Sequence, residues 1–154
     1  MLIEFPQYPF KIKEEQGVTY IFDIIRKGWR VLMPEEWVRQ NFIQYLTQVK
    51  QYPVSLIAIE KEIRLGERVK RFDILVYDRN HRPWMIIECK GMETVLNESV
   101  LEQVLRYNIS VPVPYLVITN GSHTFGFRKK ENNLELLEEL PDFNVPDSYD
   151  HPDR

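Results

Sequence analysis

The order of the segments between residues 34 and 119 constrains the fold more than any other feature of this chain. Apolar residues recur at helical spacing from Pro34 to Val49, with glutamates in the first turn. This helix is followed by three strand-length apolar runs, by a second helix that begins after Asn97, and by one more strand. The strand runs are residues 55–63, 71–77, 84–90 and 115–119. This order, helix, strand, strand, strand, helix, strand, predicts an α/β domain with a mixed sheet flanked by two helices.

Segments on either side of this core divide the 154-residue chain into three parts. Residues 1–33 contain three short β-patterned runs separated by turns at Gly17 and Gly28, and they predict an N-terminal β-extension packed on the core. Residues 34–140 form the α/β domain. Residues 141–154 hold three prolines and several acidic residues, and they predict a flexible acidic tail.

Composition excludes several classes of protein. A hydrophobic fraction of 44% supports a globular core, and no run approaches the ~18 apolar residues that a membrane helix needs. Cys89 is the single cysteine, so no internal disulfide can form, and the N-terminus lacks the layout of a signal peptide. We therefore expect a cytoplasmic protein with no membrane partner. The net charge of −3 disfavours general attraction to nucleic acid.

Charged side chains interrupt two of the apolar strands. Asp73 lies inside one strand, and Glu88 and Lys90 share one face at the end of another. If these strands pair as a hairpin, Asp73 can approach Glu88, and two close carboxylates attract a divalent cation. The backbone carbonyl of Cys89 adds a third oxygen, a donor set that favours Mg²⁺ or Mn²⁺. The alternative is a cross-strand salt bridge on a solvated face.

The two helices carry weaker signals. Gln103 and Tyr107 lie one turn apart on the second helix, which alone indicates an ordinary surface pair. Glu35 and Glu36 open the first helix, where complementation of the helix dipole explains both.

Basic residues outnumber acidic ones between residues 61 and 82. This excess predicts either contacts with phosphates or an ordinary solvated hairpin, and the sequence does not choose between them. The basic residues are Lys61, Arg64, Arg68, Lys70, Arg71, Arg79 and Arg82.

The chain resembles the PD-(D/E)XK nuclease superfamily in a combination of features. These are the acidic helix start, Asp73, the Glu88-x-Lys90 sequence and the Gln103-x-x-x-Tyr107 pair. More narrowly, the chain resembles the nuclease domain at the N-terminus of type I restriction enzyme R subunits, and in particular small stand-alone members of that group. Phe72 stands where the superfamily has a proline. The narrower resemblance is carried by residues 34–40, 71–74, 88–90, 103–107 and 119–121.

The resemblance implies a restriction-endonuclease-like core, αβββαβ, and an endonuclease that hydrolyses DNA phosphodiester bonds with Mg²⁺ or Mn²⁺. It implies that Asp73 and Glu88 hold the metal with the carbonyl of Cys89, and that Lys90 lies beside the attacking water. Glu36 is similar to the helix carboxylate of the family, with Glu35 as an alternative. The residues expected to support the lysine or contact the DNA backbone are Gln103, Tyr107, Arg71 and Arg39.

The expected partners follow from the same resemblance. DNA is the expected substrate, and since the sequence has no Walker A pattern, ATP is not an expected ligand. Cleavage of a duplex needs two sites or two events, which favours a homodimer or an association with other restriction or repair proteins. The alternative function is a non-catalytic module of the same fold that binds nucleic acid or another partner.

Overall fold

The computed structural model describes residues 1–131 and 133–143. Within these residues, nine strands and two α-helices form a mixed α/β structure with two sheets. The helices are α1 (Pro34–Gln44) and α2 (Glu98–Asn108). The strands are β1 (Ile12–Glu15), β2 (Val18–Asp23), β3 (Gly28–Val31), β4 (Ile57–Leu65), β5 (Arg68–Tyr77), β6 (Pro83–Cys89), β7 (Tyr115–Thr119), β8 (Thr124–Lys130) and β9 (Asn133–Leu137).

The larger sheet contains β4 to β9 in chain order, and β1 to β3 form a separate antiparallel sheet. Strands β6 and β7 are parallel, while the other neighbours in the larger sheet are antiparallel. Parallel strands cannot be joined by a tight turn, and α2 provides the crossover between them. The predicted order of elements from α1 to β7 is confirmed. Beyond β7, the strands β8 and β9 complete the larger sheet on one side.

The helix starts follow from local sequence, whereas the end of α1 does not. Pro34 occupies the first turn of α1, and the side chain of Asn97 accepts the Val100 amide at 3.0 Å to cap α2. The α-helical part of α1 ends at Gln44 and continues as a π-helical turn, Tyr45–Val49, rather than as the α-helix expected to Val49. Neither helix in the described part of the chain has the length and apolar character needed to cross a membrane.

The larger sheet is covered on both faces. The consecutive residues Ile86 and Ile87 belong to two separate hydrophobic clusters, because successive side chains of a strand point to opposite faces. Val38 and Phe42 of α1 pack in the cluster of Ile87, and Leu105 of α2 packs against the cluster of Ile86. The sheet therefore holds the end of β6 between α1 and α2.

Both ends of the described chain pack onto this core. The ring of Phe5 lies 6.0 Å from that of Phe42, and the N-terminal amine donates to the Thr124 carbonyl at 3.0 Å. At the other end, Tyr52 donates to the Pro141 carbonyl, and Phe143 packs 5.3 Å from Trp84. The core contacts thus extend to residue 143. Residues 144–154 of the expected tail lie outside the described residues.

Candidate active site

The site begins where the pairing between β5 and β6 ends. The ladder includes the pair Ile74 and Ile87. At the preceding residue of β5, the side chain of Asp73 bonds to the backbone of β6. Its Oδ2 accepts the amide of Cys89 at 2.7 Å, and its Oδ1 accepts from Arg39 at 3.2 Å. The carboxylate of Asp73 is therefore held at the end of the hairpin, next to β6.

Glu88 lies beside Asp73, as the hairpin pairing predicted. Burial raises the pKa of Glu88 to about 9, and the charge of Asp73 and a hydrogen bond between the two side chains contribute in the same direction. The ammonium of Lys90 opposes this shift. Two carboxyl groups can form a hydrogen bond only when one of them carries a proton. At neutral pH the carboxyl group of Glu88 is therefore protonated.

Residues from three segments line one cavity of about 260 Å³ between the end of the hairpin and α2. Glu88 and Lys90 come from the end of β6, Arg71 from β5, and Gln103 and Tyr107 from α2. All five are among the site residues expected from the sequence. The structure thus brings most of the expected site residues together around Glu88.

Glu36, the helix carboxylate that the resemblance implied, lies among buried ion pairs. It is buried, and its Oε1 accepts from Arg26 at 2.7 Å and from Arg39 at 3.1 Å, while its Oε2 accepts from Gln40 at 3.1 Å. These donors account for both carboxylate oxygens. Glu36 is therefore connected to Asp73 through Arg39.

Glu35 is the exposed member of the two glutamates in α1. Its negative charge contributes to the raised pKa of Glu88, so it acts on the carboxyl pair through space. Cys89 lies between these groups and the core. Burial first, and then the neighbouring carboxylates, raise the pKa of its thiol well above the usual value. The thiol stays protonated, and Cys89 packs as a core residue.

Arg26 extends the ion pairs into the N-terminal extension. Its guanidinium lies 2.6 Å from Asp23, 2.7 Å from Glu36 and 3.2 Å from Glu60. Burial alone would raise the pKa of Asp23, but the hydrogen bonds and charge of Arg26 outweigh it and the pKa is lowered. We call the connected groups the ion network. Its members are Asp23, Arg26, Glu36, Arg39, Glu60 and Asp73.

The ion network holds two guanidinium groups against four carboxylates. Its formal charge is therefore negative, and Asp73 is the member that adjoins Glu88. Excess negative charge beside a pair of carboxyl groups raises the local affinity for cations.

Two residues of this region carried no usable signal in the sequence. Arg26 lies in a turn of the N-terminal extension, and only the folded contact with Glu36 shows its role. Asn108 lines the cavity from the last turn of α2 and is buried. Its Nδ2 donates to the Val104 carbonyl at 3.0 Å, whereas its Oδ1 has no partner among the described residues.

The segment around Asn120 forms a tight connection, in which the Asn120 amide donates to the His123 carbonyl. The Oδ1 of Asn120 accepts the amides of Ser122 and His123, and its Nδ2 donates to the carbonyl of Thr94. Gly121 has a φ of +90°, a conformation that favours glycine. These contacts fix the connection between β7 and β8.

Comparison of the sequence with protein families identifies the family of this chain. The family model of the type I restriction enzyme R protein N terminus matches residues 34–141, which include α1, the β5–β6 hairpin and α2. No curated protein sequence matches the chain at a significant level. The match confirms the resemblance inferred from the sequence, and it leaves out the N-terminal extension. This chain belongs to the family of type I restriction enzyme R protein N termini.

Proposed function

We propose that this domain hydrolyses DNA phosphodiester bonds in a metal-dependent reaction. The observation that carries the proposal is the position of Asp73, which accepts the Cys89 amide next to Glu88, beside a cavity that Glu88 and Lys90 line. Membership of a restriction-enzyme family supports DNA as the substrate. The order α1, β4, β5, β6, α2, β7 supports the αβββαβ core that the sequence predicted.

The donor atoms at the pair suit a hard divalent cation. Within residues 1–131 and 133–143, no three or more His, Cys, Asp or Glu side chains form a group that could hold a metal ion. The set proposed here is smaller, with the carboxylates of Asp73 and Glu88 and the backbone carbonyl of Cys89. Oxygen ligands and a small number of protein donors are typical of Mg²⁺, which keeps several waters. A cation would take the place of the proton on Glu88.

The residues of the cavity would then have distinct roles. When bound, Mg²⁺ or Mn²⁺ would supply positive charge to the phosphate as negative charge develops on its oxygens. Lys90 is fixed by a hydrogen bond from its amide to the Thr119 carbonyl at 2.8 Å, and its ammonium would stabilise the same charge and orient the attacking water. Gln103 and Tyr107 would hold Lys90 and the DNA backbone from the side of α2.

The two glutamates of α1 would also act differently. We assign Glu36 a positioning role, since it holds Arg39 and Arg39 holds Asp73. Glu35 is exposed and acts electrostatically on Glu88, so it is the better candidate for the helix carboxylate of the site.

One observation favours a second candidate function. Arg39 already places a positive charge 3.2 Å from Asp73, which lowers the need for a metal cation at that oxygen. A domain that uses this pairing only for stability would bind nucleic acid or another partner without cleaving it.

Cleavage of DNA by the wild type and by Lys90→Ala distinguishes the two functions. We expect the wild type to cut plasmid or oligonucleotide DNA in the presence of Mg²⁺ or Mn²⁺, and to lose this activity in EDTA. Lys90→Ala should lower the rate by about a hundredfold or more, because one charge-stabilising group is removed.

The matched control is Lys61→Ala, which removes an exposed lysine of β4 outside the cavity lining. This variant should cleave at the wild-type rate. Equal activity of the wild type and Lys90→Ala would contradict the proposed function, and DNA binding without cleavage in the wild type would favour the second candidate.

A further inference from the structure

A second cavity, of about 350 Å³, adjoins the candidate active site. Tyr107 lines both cavities, and Lys70 of the second cavity is followed on β5 by Arg71 of the first. In the described part of the chain, the second cavity is lined by three basic side chains and by no carboxylate. We call the basic side chains of β5 and α2 that line the two adjoining cavities, together with Tyr107, the basic groove. It is formed by Arg68, Lys70, Arg71, Arg106 and Tyr107.

Lys70 is a structural member of the basic groove. It is buried, and its ammonium donates to the carbonyl of Tyr107 and lies 4.3 Å from the centre of the Tyr107 ring. A cation at this place also complements the negative end of the α2 dipole. Lys70 thereby fixes Tyr107 between the two cavities. Tyr107 remains 52% exposed to solvent.

Arg68 and Arg106 are the members whose charge is available to a ligand. Both are exposed, and within residues 1–131 and 133–143 neither side chain forms an ion pair or a hydrogen bond. Arg71 differs from them, because it pairs with Glu62 at 2.9 Å. The guanidinium group is planar and donates paired hydrogen bonds that match the geometry of a phosphate.

The length of the basic groove suits a chain of phosphates. Arg71 lies two residues before Asp73 on β5, and Arg68 lies three residues before Arg71. At about 3.3 Å per residue, the groove extends roughly 17 Å from the carboxyl pair. Phosphates follow one another at about 3.4 Å along the axis of a nucleic-acid strand in a duplex, so the groove can hold more than one.

We propose that the basic groove binds the phosphodiester backbone of the substrate strand on one side of the reacting phosphate. Arg68 and Arg106 each contact a phosphate, and Tyr107 separates this site from the reacting centre. The inference rests on the proposed function for the class of substrate. A local site of this kind is needed because the whole chain has a net charge of −3 and does not attract polyanions by its overall charge.

Binding of labelled single-stranded and duplex oligonucleotides in EDTA tests the groove without cleavage. We expect the full-length double variant Arg68→Gln/Arg106→Gln to bind about tenfold or more weakly than the wild type. For the duplex, the slope of log affinity against log salt concentration should fall by about 0.9 for each lost phosphate contact. Both arginines are exposed, so the melting temperature should stay unchanged.

The matched control is Arg82→Gln/Arg128→Gln. It removes the same charge from two exposed arginines near the other end of the β6–β7 pair, outside the basic groove. The control should bind as tightly as the wild type and with the same salt slope. Equal weakening in both double variants, or none in the groove variant, would overturn the inference. So would a wild type that binds neither oligonucleotide at low salt.

Two further results separate the possible explanations. Tighter binding of polyglutamate than of DNA, lost in the groove variant, would indicate an acidic protein partner and overturn the inference. Lys90→Ala tests the proposed function separately, because it should lose cleavage while keeping the binding that depends on Arg68 and Arg106. If this variant cleaves normally while the groove variant binds weakly, the groove stands and the assignment of Lys90 fails.

Discussion

Glu88→Gln is expected to make the metal-free protein more stable than the wild type at pH 8. Burial and the neighbouring Asp73 raise the pKa of Glu88 from 4.5 to about 9. Between these two values the folded state binds one more proton than the unfolded state. The free energy of unfolding therefore decreases as the pH rises through this range, by at most about 1.4 kcal/mol per pH unit.

Glutamine keeps the shape of the side chain and can donate a hydrogen bond to Asp73 without a proton from solution. We expect a gain of about 2–4 kcal/mol at pH 8, and a flatter dependence of stability on pH than in the wild type. Urea unfolding at several pH values in EDTA measures both quantities. Glu62→Gln, on the exposed part of β4, is the control and should follow the wild-type pH dependence.

Loss of stability at pH 8 in Glu88→Gln, or a pH dependence equal to that of the wild type, would contradict the assigned environment of Glu88. Addition of Mn²⁺ should reverse the order of stability, because only the wild type has both carboxylates of the proposed site. A residue that destabilises the metal-free fold and is needed for metal binding is typical of a functional site.

Arg26→Ala is expected to cause a large loss of stability. It removes the cation from Asp23, which has no solvent exposure, and from the buried Glu36. Removal of one partner of a buried ion pair leaves an uncompensated charge and costs about 3–5 kcal/mol. The loss should be apparent as a lower urea midpoint at pH 7.

Arg71→Ala is the matched control for Arg26→Ala, because the pair of Arg71 with Glu62 is exposed and should contribute little. Arg26→Lys should recover part of the stability, since it restores the charge without the three-way contact of the guanidinium group. If Arg26→Ala unfolds at the same midpoint as Arg71→Ala, the ion network does not hold the extension on the core.

The ion network also connects the N-terminal extension to Asp73. Arg26 holds Glu36, Glu36 holds Arg39, and Arg39 donates to Asp73. In Arg26→Lys, which should remain folded, we expect about a tenfold weaker affinity for Mn²⁺, an effect typical of groups that orient a metal ligand. The extension lies outside the residues matched by the family model, so this support is a feature of the chain beyond the family domain.

Much of the fold was predictable because its signals are local. The apolar periods of α1 and the strands, the cap at Asn97 and the turn at Asn120 depend on neighbours within a few residues. The approach of Asp73 to Glu88 followed from one assumption, that the two strands form a hairpin. The end of α1 was harder to predict, since the π-helical turn Tyr45–Val49 keeps apolar residues at spacings close to those of an α-helix.

The remainder of the site depends on long-range contacts that the sequence does not encode locally. Glu36 was expected as the helix carboxylate of the site, and the sequence did not show that Arg26 and Arg39 hold it in the ion network. Lys70 was grouped with cations that contact phosphate or solvent, whereas it is buried against the end of α2. The partners of Glu36 and Lys70 were not predictable because tertiary packing sets the partner of a charged residue.

The most direct test of the carboxyl pair is calorimetry of Mn²⁺ binding to the wild type and to Asp73→Asn at neutral pH. Buffers of different ionisation enthalpy give the number of protons released on binding. We expect one ion to bind to each wild-type chain with release of about one proton, because the cation displaces the proton that Glu88 carries at neutral pH. Asp73→Asn should lose this binding, whereas Asp78→Asn, in the turn between β5 and β6, should keep it. Binding that is unchanged in Asp73→Asn, or no binding to the wild type, would contradict the assignment of a metal site to Asp73 and Glu88.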